Sequence, residues 1–342
     1  MRPSRWILLA LFALVPAGLA AAGRAVTDMA GVSVPLPDHV RRVATVGPVP
    51  VLNSLVFAIG EGGSLVNGLA TFARRPRWGY QFVFAPQLAN GPAMQNVDMS
   101  PNLEALLGQQ PDVVLTMDRA GADQMRRAGL RTVYLAWRKP EDVKQAVRLL
   151  GEVYGKPAAA ERYERYFDAA LARVGERLGG PALVRPRVLY FSPATLTQPH
   201  LVAEWWIRAA GGDSVTDDGR QFEARNFSLE QLLAWDPDFL LVADPSDVDV
   251  VRNDRRLAGL RAVQAGRVLV VPCGAHTWGN RTAEQPLTVL WAARHFHPQR
   301  FADIDLQQET RRFYADVFGV TLSPAQVAEI LAGGPRQLPV AR

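Results

Sequence analysis

The chain has 342 residues, 48% hydrophobic and 21% charged, with a formal net charge of +5 at pH 7. Charges of both signs are scattered along it, which excludes the clustered basic footprint of a nucleic-acid-binding protein. Its single cysteine, Cys273, excludes an internal disulfide and leaves redox compartment undetermined by cysteine usage.

At the start, Arg2 and Arg5 precede an uncharged run from Trp6 to Val15, then Pro16 and a cluster of small residues. This is the pattern of a secretory signal peptide over residues 1–22, too short for an ordinary membrane span. Ala20-Ala21-Ala22 fits the cleavage site, and a cut after Ala20 or Ala25 reads almost as well. Losing Arg2 and Arg5 takes the charge from +5 to +3. With no cysteine near the signal for lipid attachment, the expected location is the periplasm of a Gram-negative cell. The rest of the 342 residues exceeds a typical single domain and suggests two lobes.

Strand-like runs at Val40 to Val46, Leu65 to Thr71, Asp112 to Met117 and Thr132 to Ala136 place an α/β lobe in residues 23–139. From 140 to 180 the sequence is charged and helical. Val143, Ala146, Val147 and Leu150 give one apolar face, and Tyr163, Phe167, Ala170 and Val174 another. Gly155-Lys156-Pro157 interrupts this segment and Gly179-Gly180-Pro181 ends it, so a long, broken connecting helix is expected. Strands at Arg187 to Phe191, Phe239 to Ala243 and Arg267 to Val271 place a second α/β lobe in residues 181–342.

An internal echo links the two halves. Asn102-Leu103-Glu104-Ala105-Leu106-Leu107, then Pro111-Asp112 and Val113-Val114-Leu115, is repeated as Ser228-Leu229-Glu230-Gln231-Leu232-Leu233, Pro237-Asp238 and Phe239-Leu240-Leu241. Each copy reads as a capped helix, a Pro-Asp turn and a buried strand, although leucines at helical spacing also occur as ordinary packing.

Signal peptide, paired units and intervening helix together resemble the helical-backbone class of periplasmic binding proteins. That class serves ferric siderophores, heme, vitamin B12 and some divalent metals. Ala210-Gly211-Gly212-Asp213-Ser214-Val215 and Ala262-Val263-Gln264-Ala265-Gly266-Arg267-Val268 are similar to two further family segments. Over residues 26 to 331, the resemblance implies two Rossmann-like lobes joined by a long backbone helix (class III). It also implies a monomer that hands a metal chelate, a ferric siderophore or related iron complex, to the permease dimer of an ABC importer. Docking to that permease falls by motif on Glu104 and Glu230. Twin exposed carboxylates would give a two-point register, although each would also complement its own helix dipole.

Ligands of α/β lobes collect beyond the carboxyl ends of parallel strands. The loops expected there hold Arg77, Trp78 and Tyr80; Arg138; and His276 and Trp278, with Arg225 joining them if the family alignment holds. Arginines beside aromatics suit a flat anionic or metal-complexed ligand, while packing inside its own lobe is the ordinary fate of a tryptophan. Heme or cobalamin is the alternative ligand, with Tyr80 or His276 as an axial group for heme. No intrinsic cofactor, resident metal site or enzymatic activity is expected. His295 and His297 lack the i, i+4 spacing of a helical metal pair, and no Gly-x-Ser-x-Gly elbow, P-loop or dinucleotide-binding glycine pattern occurs. A secreted hydrolase built from scattered carboxylates is the remaining enzymatic alternative.

Overall fold

The computed structural model describes residues 24–180, 183–221 and 223–337; the expected signal peptide lies outside them. Two parallel sheets organise the chain. The first runs in the order Val43–Val46, Val113–Thr116, Thr132–Tyr134. The second runs Val268–Val270, Phe239–Val242, Arg187–Tyr190, Asp213–Ser214. Val113–Thr116 and Phe239–Val242 are buried at every position, as strands covered on both faces must be, and both read as apolar runs without alternation.

The expected strand from Leu65 to Thr71 does not form. Only Leu65 pairs, in a parallel bridge to Val43. Beyond it the chain presses against a neighbouring loop: a Cβ on Gly68 would lie 2.1 Å from the carbonyl oxygen of Gly91. The Gly68 N–H donates to Pro92 O at 2.7 Å, so the backbone is spent on that loop and not on the sheet. Two short antiparallel pairs, Ala25–Thr27 with Ser33–Pro35 and Thr197–Gln198 with Arg225–Asn226, complete the strands of the described residues. Elements of two or three residues show no readable period.

The segment between the sheets forms two helices, Asp142–Tyr154 and Pro157–Leu178. Gly155, at φ 66°, ends the first in the left-handed region, and Pro157 opens the second at its first turn, where its missing N–H costs nothing. Tyr163, Phe167, Ala170 and Val174 form the buried face of the longer helix. It packs on Asp142–Tyr154 and Val49–Ala58 from the first half and on Val202–Ala209 and Gln285–Phe296 from the second.

The echoed units are equivalent in backbone detail. Leu103–Gln109 is capped by the Asn102 side chain and Leu229–Trp235 by Ser228 in a capping box. Both helices end on a non-glycine residue in the left-handed region, Gln110 and Asp236. In each unit the aspartate of the Pro-Asp turn then accepts a backbone N–H at the edge of the adjacent strand: Asp112 from Arg42 at 2.9 Å, Asp238 from Arg187 at 2.8 Å. One structural unit is used twice, and it leaves Glu104 and Glu230 exposed in the first turn of equivalent helices.

The chain's last third returns to the first lobe. Tyr314 stacks on Phe84 at 5.1 Å and Phe318 packs on Phe57 at 5.8 Å. One hydrophobic cluster therefore runs without a break from Leu52 and Phe57 through the central helix to Trp206, Trp291 and Phe313.

Candidate functional site

Three loops leave the carboxyl ends of the first sheet together. Gly47 follows Val46, Met117 follows Thr116, and Ala136 to Arg138 follow the strand ending at Tyr134. Gly47, at φ 102°, turns the chain from its strand straight into Val49–Ala58, and its N–H donates to Gln95 Oε1 at 2.7 Å. These loops bound a cavity of about 890 Å³ whose opposite wall is Leu201, Gln221, Glu223 and Arg281 from the second half of the chain. The position is that of a ligand site in an open α/β sheet.

The charges lining this cavity are unevenly satisfied. Asp98 accepts from the Ser100 hydroxyl at 2.6 Å and amide at 3.0 Å, which holds its carboxyl below the ordinary range. Asp118 caps Arg119–Arg127, accepting from Ala120 and Gly121 at 3.1 and 3.0 Å. Glu223 accepts from Arg281 Nη1 at 3.0 Å and from the Leu201 amide at 3.2 Å. The His200 imidazole, 3.9 Å away, then Arg281 and that amide hold its carboxyl down. The same Arg281 nitrogen donates to Trp137 O at 3.0 Å, so this cluster ties the two walls together. Arg138 is exposed, and its guanidinium has no hydrogen bond or ion pair among the described residues. Every carboxylate at the cavity has hydrogen-bond donors within the protein, and the Arg138 guanidinium has no acceptor among the described residues, which leaves that one cation open to an anion.

A second cavity, of about 460 Å³, lies beyond the carboxyl ends of the second sheet. Tyr190 to Ser192, Ala243 and Asp244 line it from that sheet, and Arg75 and Arg77 reach it from the first lobe. Leu201 and Arg281 belong to the first cavity and their neighbours His200 and Asn280 to the second, so the Glu223 cluster stands between the two.

The sequence-predicted binding residues do not converge on one site. Arg138 lines the first cavity and Arg77 the second. Arg77 Nη1 lies 3.9 Å from Asp244, and its guanidinium covers the Trp78 ring at 4.8 Å. Trp78 is buried beneath it, stacked on His276 at 5.4 Å with 20° between the planes. His276 is 7% exposed, and burial first, then Arg77 and His200, push its imidazole down to about 3, so it is neutral. Tyr80 and Trp278 are corrections, because both are core residues. The Tyr80 hydroxyl donates to Gln326 O and Glu329 Oε2, each at 2.9 Å, and burial followed by Glu329 pushes its pKa up, so its oxygen is engaged within the fold. Arg225 is also a correction: it pairs with Asp218 at 2.5 Å and covers the Trp235 ring at 5.4 Å, away from both cavities.

Glu223, Gln221 and the Asp98-Met99-Ser100 turn are cavity residues that the sequence did not single out. Arg75 and Arg281 stand in the loops Phe72 to Phe84 and Cys273 to Arg281, which the sequence places at the cleft, and both line a cavity. Glu223 sits in an irregular loop rich in both charges, where nothing marks one carboxylate over another. Among the described residues no three of His, Cys, Asp and Glu come together as a metal site, and no helix is long and apolar enough to cross a membrane.

Residues 74–273, more than half of the chain, match the periplasmic binding protein family. The chain belongs to that family. The molybdate-binding protein MolA of Haemophilus influenzae is similar to it at 26% identity over 339 residues, spanning 90% of this chain and 95% of that protein. Among solved structures, a periplasmic solute binding protein of Veillonella parvula aligns with a TM-score of 0.77 at 25% identity, covering 90% of this chain and 96% of its own. MolA bound to molybdate aligns with a TM-score of 0.77 at 23% identity, covering 88% and 99%.

Proposed function

We propose that this periplasmic binding protein is the solute-capturing subunit of an ABC importer and that its cleft takes an anionic metal complex. The observation that carries this reading is the guanidinium of Arg138, without a partner among the described residues, at a cavity whose carboxylates are all engaged. An anion there gains a charge-assisted hydrogen bond and releases no buried countercharge. The cavity of about 890 Å³ has room for a small chelate, such as a ferric complex of citrate or catecholate type. A compact metal oxyanion is the second reading, favoured by the near full-length likeness to a molybdate-binding protein. Glu104 and Glu230, exposed on equivalent helices, are proposed as the two contacts with the permease.

Calorimetric titration with ferric citrate, a ferric catecholate, molybdate, heme, cobalamin and free divalent cations tests the reading. Anionic complexes should bind, and Arg138→Ala should weaken them by about 1.5–3 kcal/mol, the range for a hydrogen bond to a charged group. Tight binding of free divalent cations or cobalamin, unaffected by Arg138→Ala, would refute it.

A further inference from the structure

Arg281 is the other cation of the first cavity, and its charge is answered from within the protein. Its Nη1 donates to Glu223 Oε1 at 3.0 Å on its own side of the cleft and to Trp137 O at 3.0 Å on the other. Glu223 is fixed in turn by the Leu201 amide at 3.2 Å. Arg281 and Glu223 both line the main cavity and the smaller one of about 260 Å³ beside it. The side chains are 28% and 47% exposed, so a solute in the cavity reaches the pair without unfolding anything.

We propose that Glu223 is a resident counter-ion, an internal competitor that holds Arg281 until an anionic solute takes its place and so sets the affinity of the site. The proposal rests on the anionic-solute reading above. Arg220, paired with Glu204, is 2% exposed and closed to any solute. Arg281 is instead accessible, at the cavity wall, and engaged through one nitrogen only. An anion that reaches it exchanges one carboxylate for another acceptor, an exchange with small net cost because a partly exposed pair is weak. Glu223 then remains close to the bound anion and repels it, the more so the higher the anion's charge. The result is a site that captures an anion and also lets it go, as delivery to a second protein requires.

The test uses molybdate and perrhenate, tetrahedral anions of similar shape carrying two and one negative charges, as probes of the full chain. Glu223→Gln keeps an oxygen acceptor and removes the charge. Both probes should bind about three- to tenfold tighter to it, molybdate gaining at least as much as perrhenate, and the gain should shrink at high salt. The double variant Glu223→Gln, Arg281→Gln should lose the gain. Unchanged or weaker binding in Glu223→Gln would overturn the proposal, because a merely structural carboxylate gives that result. If neither probe binds the wild-type protein, the oxyanion reading falls separately, and the counter-ion is judged on the protein alone. Rotation of the Arg281 guanidinium, read from its nitrogen-15 signals, should be slow in the wild type and fast in Glu223→Ala. Equal rotation in the two would overturn it.

Discussion

Acidification from pH 7 to pH 5 should cost about 2 kcal/mol of stability through His276 alone, because this imidazole is held neutral down to about 3 in the fold. The ordinary histidine pKa is about 6.5 in the unfolded chain. Between those values the unfolded state binds more protons than the native state, so stability rises with pH and is lost as pH falls below 6.5. Each unit is worth about 1.4 kcal/mol, and the 1.5 units from 6.5 to 5 give about 2 kcal/mol. The cause is visible in the packing: His276 lies face to face with Trp78 at 5.4 Å, Nδ1 has no hydrogen-bond partner, and Arg77 sits over the same tryptophan. His276→Phe keeps a flat ring on Trp78 and removes the titration. Urea unfolding at pH 7, 6 and 5 should show the wild type losing about 2 kcal/mol more than this variant. His295 and His297, also held down by burial, titrate in both proteins and cancel in the difference. Parallel pH profiles for wild type and His276→Phe would refute the reasoning.

Replacing both Glu104 and Glu230 with alanine should leave solute affinity and melting temperature unchanged while weakening permease binding, most at low salt where charge pairs are least screened. Normal uptake by that double variant, at equal abundance, would end the docking assignment. Glu204→Ala should destabilise the protein by about 1–3 kcal/mol in chemical denaturation, because it removes the carboxylate 2.8 Å from the guanidinium of Arg220, 2% exposed, and leaves it Asp218 at 3.5 Å with the oxygens of Thr216 and Gln198.

The sequence made the frame legible where periodicity and punctuation agree. Tyr163, Phe167, Ala170 and Val174 stand out as a helical face because nothing but burial explains their spacing, and Gly155 with Pro157 marks the one place where that helix breaks. The echoed Leu-Glu-x-x-Leu units were visible for the same reason, with caps, turn and strand in fixed order. The site was legible only as a set of loops. Loop position follows from strand position, whereas the direction of a side chain in a loop follows from what packs beneath it. Trp278 and Tyr80 look like ligand contacts in a list of aromatics, yet each fills the core below its loop. Arg138 and Arg225 look alike in sequence, and only the presence of Asp218 beside Arg225 separates them.

The continuous core bears on how such a protein can discriminate. Closure of two lobes over a solute needs contacts between them that can slide or break cheaply. Here Gln81 Nε2 donates to Ala275 O at 2.6 Å and the Ala283 amide donates to Ser54 Oγ at 3.1 Å, both buried and both joining distant parts of the chain. Phe57, Phe84, Tyr314 and Phe318 form an aromatic cluster across the same junction, and truncating one such buried ring costs about 3–5 kcal/mol. A wide hinge opening would have to disrupt several of these contacts at once. Small exchanges at the cleft wall carry no such cost. The Arg281 guanidinium, shared between Glu223 and Trp137 O, is a contact across the cleft that an anion can remodel without disturbing the core beneath.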